Sequence, residues 1–209
     1  MTESPATVCI IDDDASVRRS LQRLLAANGF CVEPFADAQS YLAHEPDGRC
    51  GCIVLDVRMP GIDGLELQTR LEESGQRVPI VFLTGHGDIP MSVQAVKAGA
   101  TDFLAKPVDE AVLLAAVTDA VTLHRQRITE AESIEEISRC IASLTRRELE
   151  VMRCVITGAA NKQIAGDLGI AEKTVKIHRS RVMRKLRVTS VAALLLACQQ
   201  AGIEPANET

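Results

Sequence analysis

The sequence predicts an α/β plus all-α protein: a doubly wound, five-stranded parallel sheet, then a helical linker and a domain of four helices. Two observations support this division. Short apolar runs alternate five times with helical patterns over residues 1–123, and only helical patterns follow. The charge also changes sign, because residues 1–123 hold 9 basic and 18 acidic side chains, whereas residues 144–209 hold 11 and 6. We therefore expect domains at 1–123 and 144–209, with the linker at 124–143.

The predicted strands are apolar without alternation, which is typical of a parallel sheet that helices cover on both faces. They lie at residues 8–11, 31–32, 52–55, 79–83 and 102–104. The helices between them are predicted from apolar residues at helical spacing, and three of them from the Asn-Gly, Ser-Gly or Gly at which they end. They begin near Val17, Tyr41, Leu65, Met91 and Glu110.

Polar side chains follow four of the five predicted strands. Asp12 and Asp13 follow the first strand, Asp56 the third, Thr84 the fourth and Lys106 the fifth. Ligands of doubly wound sheets bind beyond the carboxyl ends of the strands, so these side chains are expected to lie together. Helix capping accounts for one or two polar residues at such positions but not for all of them.

This set of residues suits phosphoryl transfer. Three carboxylates at one edge repel one another, and a divalent cation relieves that repulsion. Mg²⁺ prefers oxygen ligands, which makes Asp12, Asp13 and Asp56 candidate ligands, and Mn²⁺ or Ca²⁺ can substitute. One carboxylate can then attack a phosphoryl donor to form an acyl phosphate, while Lys106 neutralises charge on the transferred group. Thr84 can hydrogen-bond the new phosphoryl oxygen, a contact that exists in only one state.

Residues 7–123 resemble the receiver domain of bacterial two-component response regulators, which has a flavodoxin-like fold. The resemblance rests on four ordered motifs: IIDDD at 10–14, LDVRMPGIDG at 55–64, LTGHGD at 83–88, and KAGA at 97–100 with KP at 106–107.

This resemblance implies that Asp56 is the phosphoacceptor and that a sensor histidine kinase is the phosphoryl donor. It implies that Asp13 and Asp56 bind Mg²⁺ directly and that Asp12 acts through water. It adds the backbone carbonyl of Arg58 as a ligand and Phe103 as a switch aromatic.

Other residues of this domain have simpler expected roles. Asp14 and Asp63 are expected to face solvent or cap helices. His86 is a weaker candidate for a general acid or base. The resemblance also implies a cis peptide bond between Lys106 and Pro107, which only X-Pro bonds adopt at low cost.

The linker is expected to be helical. Ile134, Ile137 and Ile141 recur at helical spacing and form one apolar stripe. This stripe fits a contact between two chains or a contact with one of the two domains, and the second is slightly favoured because three positions are few for a coiled coil.

The all-α domain contains a predicted helix-turn-helix. Thr145 and Glu148 have the spacing of a capping box, Asn161 is expected to cap the second helix, and Gly169 ends it. The third helix, over 172–187, carries seven basic side chains. A short helix, a turn and a basic helix are typical of DNA-binding proteins, in which the basic charge binds phosphates.

Residues 144–203 resemble the DNA-binding domain of the LuxR/NarL/FixJ class, and the run at 84–93 favours the FixJ branch. The matching motifs are LTRRE at 144–148, NKQIA at 161–165 and TVKIH at 174–178. The resemblance implies that three residues face DNA bases: Lys176, Ile177 and Ser180. Further DNA contacts are expected from Lys162, Thr174, His178, Arg179, Arg181 and Lys185. Dimerisation is expected through the fourth helix, at Val191, Leu194, Leu195 and Cys198, although this apolar face fits an internal core equally well.

The sequence therefore predicts a phosphorylation-controlled transcriptional regulator of a two-component system that forms a homodimer on double-stranded promoter DNA. RNA polymerase is a further expected partner, and no enzymatic activity is expected beyond self-phosphorylation and dephosphorylation. Two alternatives stay open: a Mg²⁺-dependent phosphatase or phosphotransfer module that uses Asp56, and a C-terminal domain that docks onto protein.

The composition supports a cytoplasmic protein. No apolar run approaches the roughly 20 residues that span a bilayer, and the N-terminus lacks a secretory signal. Seven cysteines, an odd number, argue against a disulfide framework. Cys9, Cys31, Cys154 and Cys198 are expected to be buried. Cys50 and Cys52 lack a second pair at zinc-finger spacing, so their role is open.

Overall fold

A computed structural model describes residues 6–44, 50–85 and 101–203. The chain divides into two compact units, residues 1–127 and 128–209. The predicted fold classes are confirmed, because the first unit holds a five-stranded parallel sheet and the second is helical. Among the described residues, no helix combines the length and the hydrophobicity that crossing a bilayer requires.

The five strands form one parallel sheet in the order β2-β1-β3-β4-β5. Every residue of β1 and β4 is buried, as the uninterrupted apolar runs predict. The strands are β1 (Thr7–Ile11), β2 (Cys31–Phe35), β3 (Cys50–Asp56), β4 (Ile80–Thr84) and β5 (Asp102–Ala105).

Helices cover both faces of this sheet. One face packs on side chains such as Leu25 and Leu113, and the other packs on Tyr41 and Leu67. The helices are α1 (Ala15–Ala27), α2 (Ala38–Ala43), α3 (Gly64–Glu73) and α4 (Glu110–Ala142), of which the last includes the predicted linker. The helix predicted near Met91 and the candidate residue His86 lie outside the described residues.

Asp14 and Asp63 cap helices of the first unit, as predicted. The Asp14 side chain accepts hydrogen bonds from the backbone N–H groups of Ser16 and Val17 at the start of α1. The Asp63 side chain accepts from the N–H of Glu66 at the start of α3. The implied cis peptide bond between residues 106 and 107 is also present.

The second unit is a bundle around one apolar core. Val151, Val175, Val182 and Leu194 are almost completely buried in it. The linker residue Ile141 packs against this core, whereas Ile134 is 40% exposed. The helices are α5 (Arg146–Ile156), α6 (Asn161–Leu168), α7 (Glu172–Lys185) and α8 (Val191–Gln200).

The capping box that begins α5 is confirmed, but the predicted cap of α6 is wrong. The N-cap of α6 is Ala160, whose side chain cannot accept a hydrogen bond from the first-turn N–H groups, and the Gln163 side chain accepts one from the N–H of Ala160 at 2.9 Å. Asn161 is the first helical residue, and its side chain accepts from the Arg179 guanidinium at 3.1 Å. Cys31 is also a correction, because it is exposed at the start of β2.

Candidate functional site

The sheet topology brings together the residues predicted at the strand ends. Asp12 follows β1, Asp56 ends β3 and Thr84 ends β4. Asp56 pairs in register with Leu83, the residue before Thr84. Thr84 pairs with the last residue of β5, so Lys106 comes directly after that pair. We refer to Asp12, Asp13, Asp56, Thr84 and Lys106 as the acidic site.

Three carboxylates of the acidic site form a cluster that can hold a metal ion. One carboxylate oxygen from each of Asp12, Asp13 and Asp56 lies within 4.8 Å of the others. Within the described part of the chain, no other group of three or more His, Cys, Asp or Glu side chains meets this condition. An all-oxygen, anionic donor set suits a hard divalent cation such as Mg²⁺.

The Lys106 side chain connects two of these carboxylates. Its Nζ donates to Asp12 Oδ2 and to Asp56 Oδ2, each at 2.7 Å. The Asp12 side chain is 1% exposed and that of Asp56 is 11% exposed, so both ion pairs lie largely out of water. Lys106 therefore offsets the repulsion between two charges that the fold forces together.

The same burial shifts the pKa values of Asp12 and Lys106. Burial raises the pKa of the Asp12 carboxyl, and hydrogen bonds from Lys106 and from the Asp14 N–H oppose this shift. Burial alone lowers the pKa of Lys106, but its hydrogen bonds to Asp12 and Asp56 outweigh this effect and the net shift is upward. The Lys106 ammonium is therefore held in its charged form.

Other groups hold Asp12 and Asp56 in place, and the sequence does not predict this role for any of them. The backbone N–H of Arg58 donates to Asp56 Oδ1 at 3.1 Å, and an Arg18 guanidinium N–H donates to the Asp12 carbonyl. Gly64 is buried beneath the site, where an added Cβ would lie 2.5 Å from the Asp56 carbonyl oxygen. The available sequence signal for this close approach is a glycine at the first position of α3, eight residues after Asp56.

Thr84 ends the strand next to Asp56, and Phe103 packs on that same strand. Thr84 is 6% exposed, and its hydroxyl donates to the Gly85 carbonyl at 3.1 Å. Phe103 is half-buried and contacts Phe82, with ring centroids 5.7 Å apart. The side chain predicted as a switch aromatic thus packs on β4, the strand that ends in Thr84.

The second unit concentrates basic residues on α7. Gly169 ends α6 with a φ of +63°, and α7 begins three residues later, which is the predicted helix-turn-helix. Val175 and Val182 fix the buried face of α7. The predicted DNA-contacting residues that are exposed are Lys162, Lys176, Ile177, Ser180 and Arg181, whereas Thr174, His178, Arg179 and Lys185 are half-buried.

Lys185 has partners within its own unit. Its Nζ donates to Glu148 Oε2 at 2.7 Å and to the Ser143 carbonyl at 2.9 Å. Glu148 is 2% exposed and also completes the capping box with Thr145. Hydrogen bonds from Lys185 and from the Thr145 N–H lower the Glu148 pKa to about 2. Lys185 therefore holds α7 against the start of α5, a role that the basic run did not indicate.

The helix predicted to form a dimer contact is largely internal. Leu194 and Cys198 are each 0% exposed in the core of the second unit, and Val191 and Leu195 pack against that core. For Leu194 and Cys198 the alternative of an internal core is therefore the one that the structure supports. The exposed large apolar residue of α8 is Leu196, at 57%.

Comparisons with protein families agree with this architecture. The model of the response regulator receiver domain matches residues 8–118, and the model of bacterial regulatory proteins of the luxR family matches residues 142–197.

Individual relatives resemble the chain over almost its whole length. The response regulator protein TodT of Pseudomonas putida is 43% identical over 195 residues, which cover 93% of this chain and 86% of TodT. The transcriptional regulatory protein FixJ of Rhizobium meliloti is 38% identical over 199 residues, which cover 95% and 98% of the two chains. The solved response regulator StyR superposes with a TM-score of 0.84 at 47% identity, covering 94% of this chain and 99% of StyR.

Proposed function

Because the chain belongs to the response regulator family, with a receiver domain followed by a LuxR-type DNA-binding domain, we propose that phosphorylation of Asp56 controls its binding to promoter DNA. The observation that supports this most strongly is the convergence of Asp12, Asp13 and Lys106 on Asp56. A sensor histidine kinase is the proposed phosphoryl donor.

In this proposal the Asp56 carboxylate is the nucleophile. Mg²⁺ would be held by Asp13, Asp56 and the Arg58 carbonyl, with Asp12 acting through water; when bound, it neutralises charge on the phosphoryl group. Mn²⁺ and Ca²⁺ have the same preference for oxygen ligands. Lys106 already bridges Asp12 and Asp56, so its ammonium is in place to pair with the oxygens of the transferred group.

The proposed switch begins at Thr84. Its hydroxyl donates to a backbone carbonyl in the unphosphorylated chain. A phosphoryl oxygen on Asp56 offers a stronger, charged acceptor, which favours a different arrangement of Thr84. Phe103 packs on the strand that carries Thr84, so its ring is the proposed next element to move.

The basic face of α7 is the proposed DNA contact. The exposed side chains Lys176, Ile177, Ser180 and Arg181, together with Lys162 on α6, form the proposed interface. A major groove accepts one helix, and a homodimer would place two such helices on two half-sites. Recruitment of RNA polymerase and action in the cytoplasm follow from the proposed role on promoter DNA.

The phosphorylation step is tested by intact-mass measurement after incubation with acetyl phosphate and Mg²⁺. The wild-type chain is expected to gain one phosphoryl group and Asp56→Asn none. Asp63→Asn is the matched control, since asparagine also caps helices and Asp63 is expected to play no part in transfer. A phosphoryl group on Asp56→Asn would contradict the assignment of Asp56.

The switching step needs a second measurement. Sedimentation and DNA affinity are compared with and without acetyl phosphate, and phosphorylation is expected to increase both dimerisation and affinity. No difference in either would overturn the switch while leaving Asp56 as phosphoacceptor. Continuous turnover of a phosphomonoester at enzymatic rates would instead favour a phosphatase, whose candidate general acid or base, His86, lies outside the described residues.

A further inference from the structure

A small cavity lined by two cysteines lies in the receiver domain, apart from the acidic site. It has room of about 50 Å³ for water-sized molecules, and its lining includes Cys9, Cys50, Tyr41, Glu33 and His44. Cys9 is in the middle of β1, and Cys50 is the first residue of β3, at the end of that strand opposite to Asp56.

Both thiols lie on the same face of the sheet. Cys9 belongs to the core cluster that contains Ile53, and Cys50 packs against that cluster, whereas Cys52 belongs to the cluster on the opposite face. The register between β1 and β3 shifts beside Gly51, next to Cys50. Both cysteines line the same cavity, and the Cys50 thiol donates to the Cys52 carbonyl oxygen at 3.4 Å.

The two cysteines differ in exposure and acidity. Cys9 is 2% exposed, whereas Cys50 is half-buried and faces the cavity. Hydrogen bonding with Cys9 lowers the pKa of Cys50, whereas hydrogen bonding with Cys50 and burial raise the pKa of Cys9. Cys50 is therefore the better nucleophile of the pair, and Cys9 keeps its proton.

We propose that Cys9 and Cys50 form a redox-responsive thiol pair, which hydrogen peroxide oxidises to a disulfide between β1 and β3. The size of the cavity favours this oxidant, because one water molecule needs roughly 10–15 Å³ on the same measure and a peroxide of two oxygens fits. Zinc is not favoured, because among the described residues only the three aspartates bring three such ligand atoms within 4.8 Å of one another, and these thiols do not belong to that group.

Oxidation of the two thiols takes place in two steps. The Cys50 thiolate attacks one peroxide oxygen, the O–O bond breaks, and the leaving hydroxide takes up a proton to become water; Cys50 is now a sulfenic acid. The Cys9 sulfur then attacks the Cys50 sulfur, the S–O bond breaks, and the oxygen leaves as a second water with the Cys9 proton. The two thiols lose two electrons and two protons in total, and the peroxide is reduced to two waters.

The test is intact-mass and peptide mapping of the full-length chain after mild peroxide treatment. We expect the loss of two hydrogen atoms, a bond between Cys9 and Cys50, and reversal by dithiothreitol. Cys50→Ser is expected to form no such bond, and Cys9→Ala is expected to hold Cys50 as a sulfenic acid that dimedone traps. Cys31→Ser is the matched control, because Cys31 is exposed and should leave the bond unchanged.

Alkylation rates test the pair without altering the core. In the unmodified chain at pH 7, iodoacetamide is expected to modify Cys50 roughly ten-fold faster than Cys31, although Cys31 is more exposed. Faster labelling of Cys31, or a peroxide-induced disulfide that does not include Cys50, would overturn the proposal.

Discussion

The acidic site and helix α7 both concentrate charge, but they hold it in different ways. In the acidic site, Asp12 is 1% exposed and both of its neighbours in the ion-pair network are at least half-buried. On α7, Lys176 is 63% exposed, and its ion pair with Glu172 is a surface contact at 3.2 Å.

This difference predicts that substitutions in the two regions will have different consequences. Buried charges are expensive to leave unpaired, so the residues of the acidic site support one another and the fold. Exposed charges contribute little to stability and are free to pair with a partner. Substitutions in the acidic site should therefore change the free energy of unfolding, whereas substitutions of the exposed charged residues of α7 should change only the affinity for DNA.

The largest expected effect is that of Lys106→Met. Removing the ammonium leaves the buried Asp12 carboxylate without its cation and next to Asp56, so we expect a loss of about 3 kcal/mol in the free energy of unfolding of the receiver domain. Native-state hydrogen exchange of the amides in β1 and β3 measures it. Arg19→Met, an exposed substitution on α1, is the control and should change this free energy by less than about 0.5 kcal/mol.

Gly64→Ala tests the packing beneath Asp56. The added Cβ would lie 2.5 Å from the Asp56 carbonyl oxygen, so the strand end must shift. We expect a loss of roughly 1–3 kcal/mol and slower phosphorylation by acetyl phosphate. Gly166→Ala, in α6, is the contrasting variant: nothing lies within 4 Å of its added Cβ, and alanine should stabilise the helix by about 0.5–1 kcal/mol. A loss of equal size in both variants would contradict this explanation.

The sequence predicts which residues form the acidic site better than it predicts the contacts that hold them in place. Polar residues that follow parallel strands come together because the carboxyl ends of these strands lie at the same edge of the sheet. Asp12, Asp56 and Thr84 could therefore be assigned to the site from the sequence pattern alone. The contacts from Lys106 could not be derived in this way, since they join residues separated by 94 and 50 positions and depend on side-chain conformation.

The second unit shows a different limit of sequence reasoning. The apolar face of α8 has the same periodicity whether it covers a core or a second chain, and only the packing of Leu194 and Cys198 distinguishes the two. The sequence likewise does not show that one residue of the basic run, Lys185, forms an ion pair with the buried Glu148.

Glu148→Gln should have an intermediate effect, because Glu148 is a buried charge in an otherwise exposed basic region. Glutamine keeps the capping box but loses the charge partner of Lys185, so we expect a loss of about 1–2 kcal/mol at pH 7. Hydrogen exchange of the amides in α5 and α7 reports it. Glu150→Gln is the control on the same helix, since its pairs with Arg146 and Arg147 lie at the surface.

The contribution of Glu148 also has a defined pH dependence. Its pKa is about 2 in the folded chain, below its ordinary value of 4.5, so the stabilisation is fully present above pH 4.5 and is lost as the pH falls towards 2. The difference between wild type and Glu148→Gln should therefore shrink across this window. A difference that stays constant from pH 7 to pH 2 would show that the charge of Glu148 is not its source.

Lys176→Ala should have the smallest effect on stability and a specific effect on DNA binding. Its side chain is exposed, so the free energy of unfolding should change by less than about 0.5 kcal/mol. If Lys176 contacts a phosphate, the slope of log affinity against log salt concentration falls by about one unit; if it contacts a base, affinity falls with specificity at that position. Fluorescence anisotropy with labelled promoter DNA at several salt concentrations separates these outcomes.

Arg153→Ala removes an exposed charge from α5 and should change neither quantity. Equal losses of DNA affinity in both variants would mean that overall charge, rather than the face of α7, binds DNA, and the contrast between a self-supporting acidic site and a partner-dependent basic helix would fail.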